Sequence, residues 1–338
     1  MNVLFIGGSG LISSACVRLA VEQGHEVWVL NRGRTRHVPM PDQVRLLSAD
    51  VHDPGSVAEA LRGNDFDVVA QFVGFEPEHV ASDVELFAGA GQYVYVSSAS
   101  AYQKPPRNYL ITESTPLENE YWDYSRAKIA CERVLAEAHA ATGFPATIVR
   151  PSLTYGPSQL PASVNSWTKP YTLLDWIRRG EPAIVPGDGS SLWVMTHNSD
   201  FAVGFNGLFG HPGAIGPAVH ITSDEVLTWD AIVRAIADAA GVEVELLHVP
   251  SDFLVAADPD NLGSLIGDKS NSVVFDNSLI RALVPAFAPK VPFAQGMRES
   301  VAWFDADPAR QAVDEQAQAT WRRVVDVYGR ALREISTS

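Results

Sequence analysis

The sequence predicts an α/β protein: a doubly wound parallel sheet with a smaller, interwoven C-terminal domain. Three observations predict it. Short β-rich runs alternate with helix-like stretches through the first half, a glycine-rich turn follows the first of these runs, and the texture changes at Pro151, beyond which Pro and Gly are frequent.

Strands are expected at residues 3–6, 27–30, 44–47, 68–72, 93–97 and 146–150. Helix-like stretches separate most of them, at about 11–23, 55–62, 77–88 and 124–142. Strands joined through helices pair in parallel, and a parallel sheet is covered on both faces. Such sheets take ligands beyond the carboxyl ends of their strands. Residues 1–150 are read as the domain holding this sheet. Residues 151–338 form mainly the second domain, with some segments returning to the first. Its helices are expected at about 171–179, 200–208, 228–239 and 293–304. A last amphipathic stretch, about 308–334, carries Trp321, Val324, Val325, Val327, Tyr328 and Leu332, and reads as a docked helix or an oligomer contact.

Hydrophobic residues make up 46% and charged residues 19%, the ordinary balance of a soluble globular protein. No stretch is long and apolar enough to span a membrane. The chain runs straight into the strand-like Asn2-Val3-Leu4-Phe5-Ile6, so no signal peptide is expected and a cytoplasmic location follows by default. The net charge of −15 argues against nucleic acid as a main partner, since that binding rests on neutralising phosphates. The arginines at 32, 34 and 36 are the one dense basic patch. Cys16 and Cys131 fall in helix-like segments and read as small core residues in a reducing compartment. The histidines are scattered without ligand spacing, and no metal is expected.

Ile6-Gly7-Gly8-Ser9-Gly10-Leu11-Ile12-Ser13 follows the first strand and opens a helix. Glycines let the backbone approach a pyrophosphate, and the helix N-terminus offers free N–H groups and a positive dipole end. At the head of a βαβ series this reads as a Rossmann-type dinucleotide turn. Ser13 stands where a third glycine is usual and is small enough for close helix–strand packing. The second strand ends in Leu30-Asn31-Arg32-Gly33-Arg34. A chain binding NAD usually has an Asp or Glu here for the ribose 2′-OH; neutral Asn31 and cationic Arg32 suit a 2′-phosphate better, which favours NADP over NAD. Asp50 and Val51, after the third strand, are placed to meet the adenine, and Phe72 and Val73, at the end of the fourth, join the cofactor set.

Tyr124-Ser125-Arg126-Ala127-Lys128 opens the helix that runs to about 142, and residues four apart share a helix face. A nearby ammonium lowers a phenol's pKa, so Lys128 is expected to make Tyr124 usable as acid or base near neutral pH. Tyr93-Val94-Tyr95-Val96-Ser97-Ser98 ends on the ligand side of the sheet, where Ser98 can hydrogen-bond a reacting hydroxyl or carbonyl. Ser98, Tyr124 and Lys128 are the expected catalytic set.

With these residues, the chain resembles the extended short-chain dehydrogenase/reductases, the NAD-dependent epimerase/dehydratase group, over about residues 1–305. The likeness also rests on Tyr102 after the serines, on Arg150-Pro151 followed by Tyr155-Gly156-Pro157, and on Pro186-Gly187-Asp188-Gly189 followed by Thr196-His197 and Asp200. Leu30-Asn31-Arg32-Gly33-Arg34-Thr35 looks like a subgroup that includes chloroplast stem-loop RNA-binding proteins. The resemblance implies that Gly7, Gly8, Ser9, Gly10, Leu11 and Ile12 hold the pyrophosphate. It implies that Lys128 binds the nicotinamide ribose, and that Pro151, Ser152 and Leu153 line the nicotinamide. Tyr124 would move the proton as hydride passes to or from the cofactor, with Ser98 steadying the oxygen. It further implies a homodimer through the helices near 77–88 and 124–142.

Two departures bear on the substrate. Sugar-nucleotide 4,6-dehydratases carry an Asp-Glu pair just after the active-site hydroxyl residue; here Ala99 and Ser100 stand there, which disfavours that reaction and leaves Ser100 as a substrate contact. Nucleotide-sugar epimerases place a diphosphate-binding Arg seven residues before the Asp of the His-x-x-Asp segment; here it is Trp193. A second such Arg precedes Gly-Asp; here Ser264-Leu265-Ile266 precedes Gly267-Asp268, and Lys269 could compensate in part. Trp193 reads equally as a substrate contact and as core packing, as Trp122 and Trp167 do. His197 reads as a support of the fold. The expected function is NAD(P)-dependent hydride transfer on a sugar, polyol or nucleotide sugar, as an epimerase or a reductase. The alternative is a catalytically weak or inactive RNA-associated protein on the same fold.

Overall fold

A computed structural model describes residues 1–32 and 39–336. Gly33, Arg34 and Arg36 of the basic stretch lie outside the described residues. The first half runs β1 (Asn2–Ile6), α1 (Ser13–Glu22), β2 (Glu26–Asn31), β3 (Arg45–Ser48), α2 (Pro54–Ala60), β4 (Val68–Gln71), α3 (Pro77–Leu86), β5 (Gln92–Val96), β6 (Leu110–Ile111), α4 (Asp123–Thr142) and β7 (Ala146–Pro151). Then follow β8 (Leu153–Tyr155), α5 (Tyr171–Arg178), β9 (Ala183–Pro186), β10 (Leu192–His197), α6 (Asn198–Gly207), β11 (Ala218–Ile221), β12 (Val226–Thr228) and α7 (Trp229–Ala240). The chain ends in β13 (Leu246–Val249), α8 (Ser251–Ala257), α9 (Asn261–Ser264), β14 (Val274–Phe275), α10 (Ser278–Leu283), α11 (Phe293–Asp305) and α12 (Glu315–Ser336).

All six expected strands form, each to within a residue at either end. With β11 they make a seven-stranded sheet in the order β3-β2-β1-β4-β5-β7-β11, every pair parallel. β11 comes from the C-terminal half and pairs with β7, Val219 opposite Val149, so this segment returns to the first sheet. The chain moves outward from β1 through β2 and β3, then recrosses to β4. That reversal opens a crevice beyond the carboxyl ends of β1 and β4.

Side chains alternate across the pleat. Val3, Phe5, Val27 and Val29 face the core shared with α1 and α6. Leu4, Ile6, Trp28 and Leu30 face the opposite core, shared with α2, α3 and α4. The sheet is thus covered on both faces, and Cys16 and Cys131 are buried free thiols, one in each layer.

A third core lies among α5, α7, α11 and α12. It includes strands that residue patterning did not pick out: β8, β10 and β12 form one small sheet, and β9 pairs with β13. Runs of three to six residues are too short for a period to stand out against their neighbours. The last helix starts at Glu315 rather than near 308. Pro308 opens only a single 3₁₀ turn, Pro308–Arg310, and Asp314 Oδ1 then accepts from the N–H of Ala317 at 3.2 Å, which fixes the start of α12. α12 docks on the third core: the rings of Trp321 and Trp176 meet at 5.6 Å, and those of Tyr328 and Phe253 at 5.2 Å. No helix among the described residues is long and apolar enough to cross a membrane.

Candidate active site

The turn from β1 to α1 is closely packed. A Cβ at Gly7, where φ is +82°, would lie 2.5 Å from Val73 Cγ1, and one at Gly8 would lie 2.8 Å from Val29 Cγ2. Both positions therefore demand glycine. Ser13, at the usual third-glycine position, laces the loop: its hydroxyl accepts from the N–H of Gly10 at 3.0 Å and donates to the carbonyl of Gly7 at 2.8 Å. The N-cap of α1 is Ile12, and no side chain caps the helix, which leaves its end suited to an anion. Ser9 and Leu11 complete the turn, and Asn198 on α6 holds the Leu11 carbonyl at 2.9 Å. Phe72 and Val73 follow β4 beside this turn, the N–H of Phe72 bonding to Ile6 O at 3.1 Å. Asn31 ends β2, with exposed Arg32 next, and Asp50 and Val51 follow β3 at the same edge of the sheet.

Ser98 lies just past β5. Its Oγ is 2.9 Å from Ser100 Oγ, which accepts from Ser125 on α4 at 2.8 Å. Tyr124 is in the first turn of α4, its ring 5.1 Å from that of Trp122. Lys128 is buried, and its ammonium donates to the carbonyls of Val96 at 2.8 Å and Gly74 at 2.9 Å and to Tyr95 Oη at 3.2 Å. It sits 5.9 Å from the centre of the Tyr124 ring.

This geometry corrects the expected tuning of Tyr124. Burial raises its phenol above the ordinary value, a hydrogen bond from Ser98 pulls it back, and the charge of Asp268 adds to the rise. The Lys128 charge is spent on backbone carbonyls instead. Burial lowers Lys128 itself to about 8, against the pull of Cys131 and Glu132.

A cavity of about 370 Å³ gathers some of the predicted residues. Ser98, Ser100 and Tyr124 line it, Pro151, Ser152 and Leu153 line it from the end of β7, and Trp193 lines it from β10. Trp122 and Trp167 border it as well. The glycine turn, Asn31, Arg32, Asp50, Val51, Phe72, Val73 and Lys128 lie outside that lining. Two contributors were not foreseen. Lys104 is buried and pairs with Asp268 at 2.9 Å, its ammonium 5.4 Å from the centre of the Trp193 ring. Asn119 is buried and donates to the carbonyls of Ser100 at 2.9 Å and Gly267 at 2.7 Å, tying the Ser98 loop to the segment that carries Asp268. Asp268 stood in the sequence as part of the Gly267-Asp268 motif and not for its carboxylate, with Lys269 beside it. His197 bonds to Ser199 Oγ at 2.7 Å and packs on Tyr155, outside the cavity lining. No group of three or more His, Cys, Asp or Glu among the described residues could hold a metal ion.

Residues 3–220 match the family model described as NAD dependent epimerase/dehydratase family. The chain belongs to that family. It is thereby an extended short-chain dehydrogenase/reductase. It is 26% identical over 266 residues to the chloroplast stem-loop binding protein of 41 kDa b of Arabidopsis thaliana, covering 75% of this chain and 67% of that one. It is 26% identical over 292 residues to 2′-dehydrokanamycin reductase of Streptomyces kanamyceticus, covering 85% and 80%. Among solved structures it is similar to dTDP-glucose 4,6-dehydratase from Bacillus anthracis in complex with NAD, with a TM-score of 0.72 at 18% identity over 92% of this chain and 98% of that one.

Proposed function

We propose that this family member is an NAD(P)-dependent oxidoreductase or epimerase acting on a carbohydrate-like secondary alcohol or ketone. The observation that carries the reading is one cavity lined by Ser98, Tyr124, Pro151, Ser152 and Leu153, past the carboxyl ends of parallel strands. A dinucleotide fits the chain: the glycine cradle of Gly7–Ile12 admits no Cβ at its first two positions, and the helix beyond it is uncapped. Bound there, the nicotinamide supplies hydride exchange. Tyr124 gives a proton to the substrate carbonyl oxygen in reduction, or takes one from the hydroxyl in oxidation. Ser98 hydrogen-bonds the same oxygen, Lys128 holds the ribose hydroxyls, and Arg32 with Asn31 favours a 2′-phosphate, hence NADP over NAD.

The named relatives include 2′-dehydrokanamycin reductase, a UDP-glucose 4-epimerase and a dTDP-glucose 4,6-dehydratase, which supports a sugar or polyol substrate. Trp193 in place of the diphosphate-binding Arg weighs against a nucleotide sugar, and Ala99-Ser100 weighs against 4,6-dehydration. One observation favours an RNA-associated role, the likeness to the stem-loop binding protein, and the net charge of −15 opposes it. Side-by-side packing of α3 and α4 suits a homodimer through these helices, which sedimentation would test. The function is tested by a screen of sugars, polyols and their keto forms with NADPH and NADH, or NADP and NAD, followed at the reduced-nicotinamide band. Turnover that Tyr124→Phe abolishes is the expected result. Tight nicotinamide binding with no turnover across the screen, and saturable binding of stem-loop RNA, would overturn it.

A further inference from the structure

The candidate cavity has a charge pattern that the hydride-transfer reading does not use. Its charged lining residues are Lys104, Asp268 and Lys269. Lys104 and Asp268 neutralise each other as a buried pair at 2.9 Å. Lys269 shares the field of the same carboxylate without pairing to it, so two ammonium groups against one carboxylate leave one net positive charge. Lys269 is 2% exposed, and among the described residues its ammonium makes no ion pair and a single, long hydrogen bond, to the carbonyl of Ser264 at 3.3 Å. An ammonium has three donors, so the cation is under-satisfied. Its remaining neighbours are ring faces, Trp167 at 5.0 Å and Trp122 at 5.9 Å. On the same lining, Trp193 Nε1 is a buried N–H with no hydrogen-bond partner among the described residues. Burying a cation and an N–H without acceptors is costly unless something else supplies them.

The backbone is shaped to keep Lys269 there. Residues Leu265–Lys269 form a single π-helical turn, a form frequent at functional sites. Gly267 within it approaches so closely that a Cβ would lie 2.9 Å from Tyr121 Cβ, and Asn119 pins its carbonyl. The turn sends Asp268 to Lys104 and leaves Lys269 against the tryptophans.

We infer that the cavity takes a polyhydroxylated substrate bearing one carboxylate, a sugar acid or hydroxy acid, with Lys269 as the residue that selects it. This rests on the cavity being the substrate site proposed above. One uncompensated positive charge matches one negative charge. A phosphate monoester is largely doubly charged at neutral pH, and a nucleotide diphosphate brings two charges and needs the guanidinium that Trp193 replaces. The apolar tryptophan faces with few placed polar groups suit a ring-sized ligand.

The test uses the full chain, with and without NADPH or NADH, and reads tryptophan fluorescence and calorimetry. The probes are glucuronate, galacturonate, mannuronate and gluconate, each set against its neutral hexose or polyol, with glucose 6-phosphate and UDP-glucose as further arms. At least one carboxylate should bind about tenfold or more tighter than its neutral partner, the scale of one charge-assisted contact. Lys269→Met should remove that preference, Lys269→Arg should keep much of it, and nicotinamide affinity should stay the same in both. Equal binding of carboxylates and neutral partners, or stronger binding of the phosphate or the UDP-sugar, overturns the inference. If Lys269→Met does not fold, the wild-type panel alone decides. Turnover of a neutral sugar dependent on Tyr124, without carboxylate preference, would sink this inference and leave the hydride-transfer reading standing. Carboxylate binding without any turnover would do the reverse.

Discussion

Glu132 on α4 and Arg150 at the end of β7 form a buried, forked ion pair, with Arg150 Nη2 2.6 Å from Oε2 and Nε 3.0 Å from Oε1. Ser97 at the end of β5 donates to the same carboxylate. The cluster therefore joins the three elements that carry Ser98, Tyr124 with Lys128, and the Pro151–Leu153 segment. Removing one partner of such a pair strands a buried charge. Glu132→Ala should cost about 3–5 kcal/mol of stability, read as a lower denaturant midpoint. A change within error would mean that the cluster does not brace the site.

The glycine turn separates fold from binding. Gly7→Ala meets both a positive φ and a Val73 methyl at 2.5 Å, so it should lose stability by about 1–3 kcal/mol. Gly10 is different, since a Cβ there meets only Ser13 Oγ at 3.3 Å. Gly10→Asp should fold and yet repel a pyrophosphate. Calorimetry showing unchanged NAD(H) and NADP(H) binding in folded Gly10→Asp would remove the turn from the cofactor site.

Arg32 follows β2 and is exposed, free to reach a 2′-phosphate. Arg32→Ala should weaken NADP by about 1–3 kcal/mol and leave NAD nearly unchanged. Equal losses for both cofactors would show that it does not read the phosphate.

The parallel sheet was legible in the sequence because five of the six expected strands carry apolar runs buried on both faces, β3 being the exposed edge strand, and helices separate most of them. The glycine turn was legible because local backbone geometry demands glycine at Gly7 and Gly8, and the shared face of Tyr124 and Lys128 because residues four apart on one helix lie together. Lys104 and Asn119 were not, since each acts across the fold on residues far away in the chain: Lys104 on Asp268, Asn119 on Gly267. The direction of the Tyr124 shift was missed for a related reason. Helix spacing puts Lys128 on the right face, but the carbonyls of Gly74 and Val96, brought in by β4 and β5, decide where its ammonium goes.

That last point sets the prediction on catalysis. Tyr124→Phe keeps the ring and removes only the oxygen proposed to move the proton, so dinucleotide affinity should survive and kcat should fall by about 10²–10⁴, the usual worth of a general acid–base group. Because burial raises the phenol, its protonated form dominates at neutral pH. Reduction uses that form and should be flat through neutral pH, declining only in the alkaline range. Oxidation uses the deprotonated form and should climb with pH over the same interval. Ser98 is the group that draws the phenol down, so Ser98→Ala should shift the alkaline limb to higher pH. Lys128 donates to the carbonyls of Gly74 and Val96 and not to the Tyr124 phenol, so Lys128→Met should leave the limb close to its wild-type position, while the proposed ribose contact predicts weaker dinucleotide binding. The measurement is kcat against pH in both directions for wild type and the three variants. If Lys128→Met moves the limb and Ser98→Ala does not, the ammonium tunes the phenol after all. If Tyr124→Phe turns over at the wild-type rate, the proton passes through some other group, and the cavity's serine and tyrosine lose their assigned work.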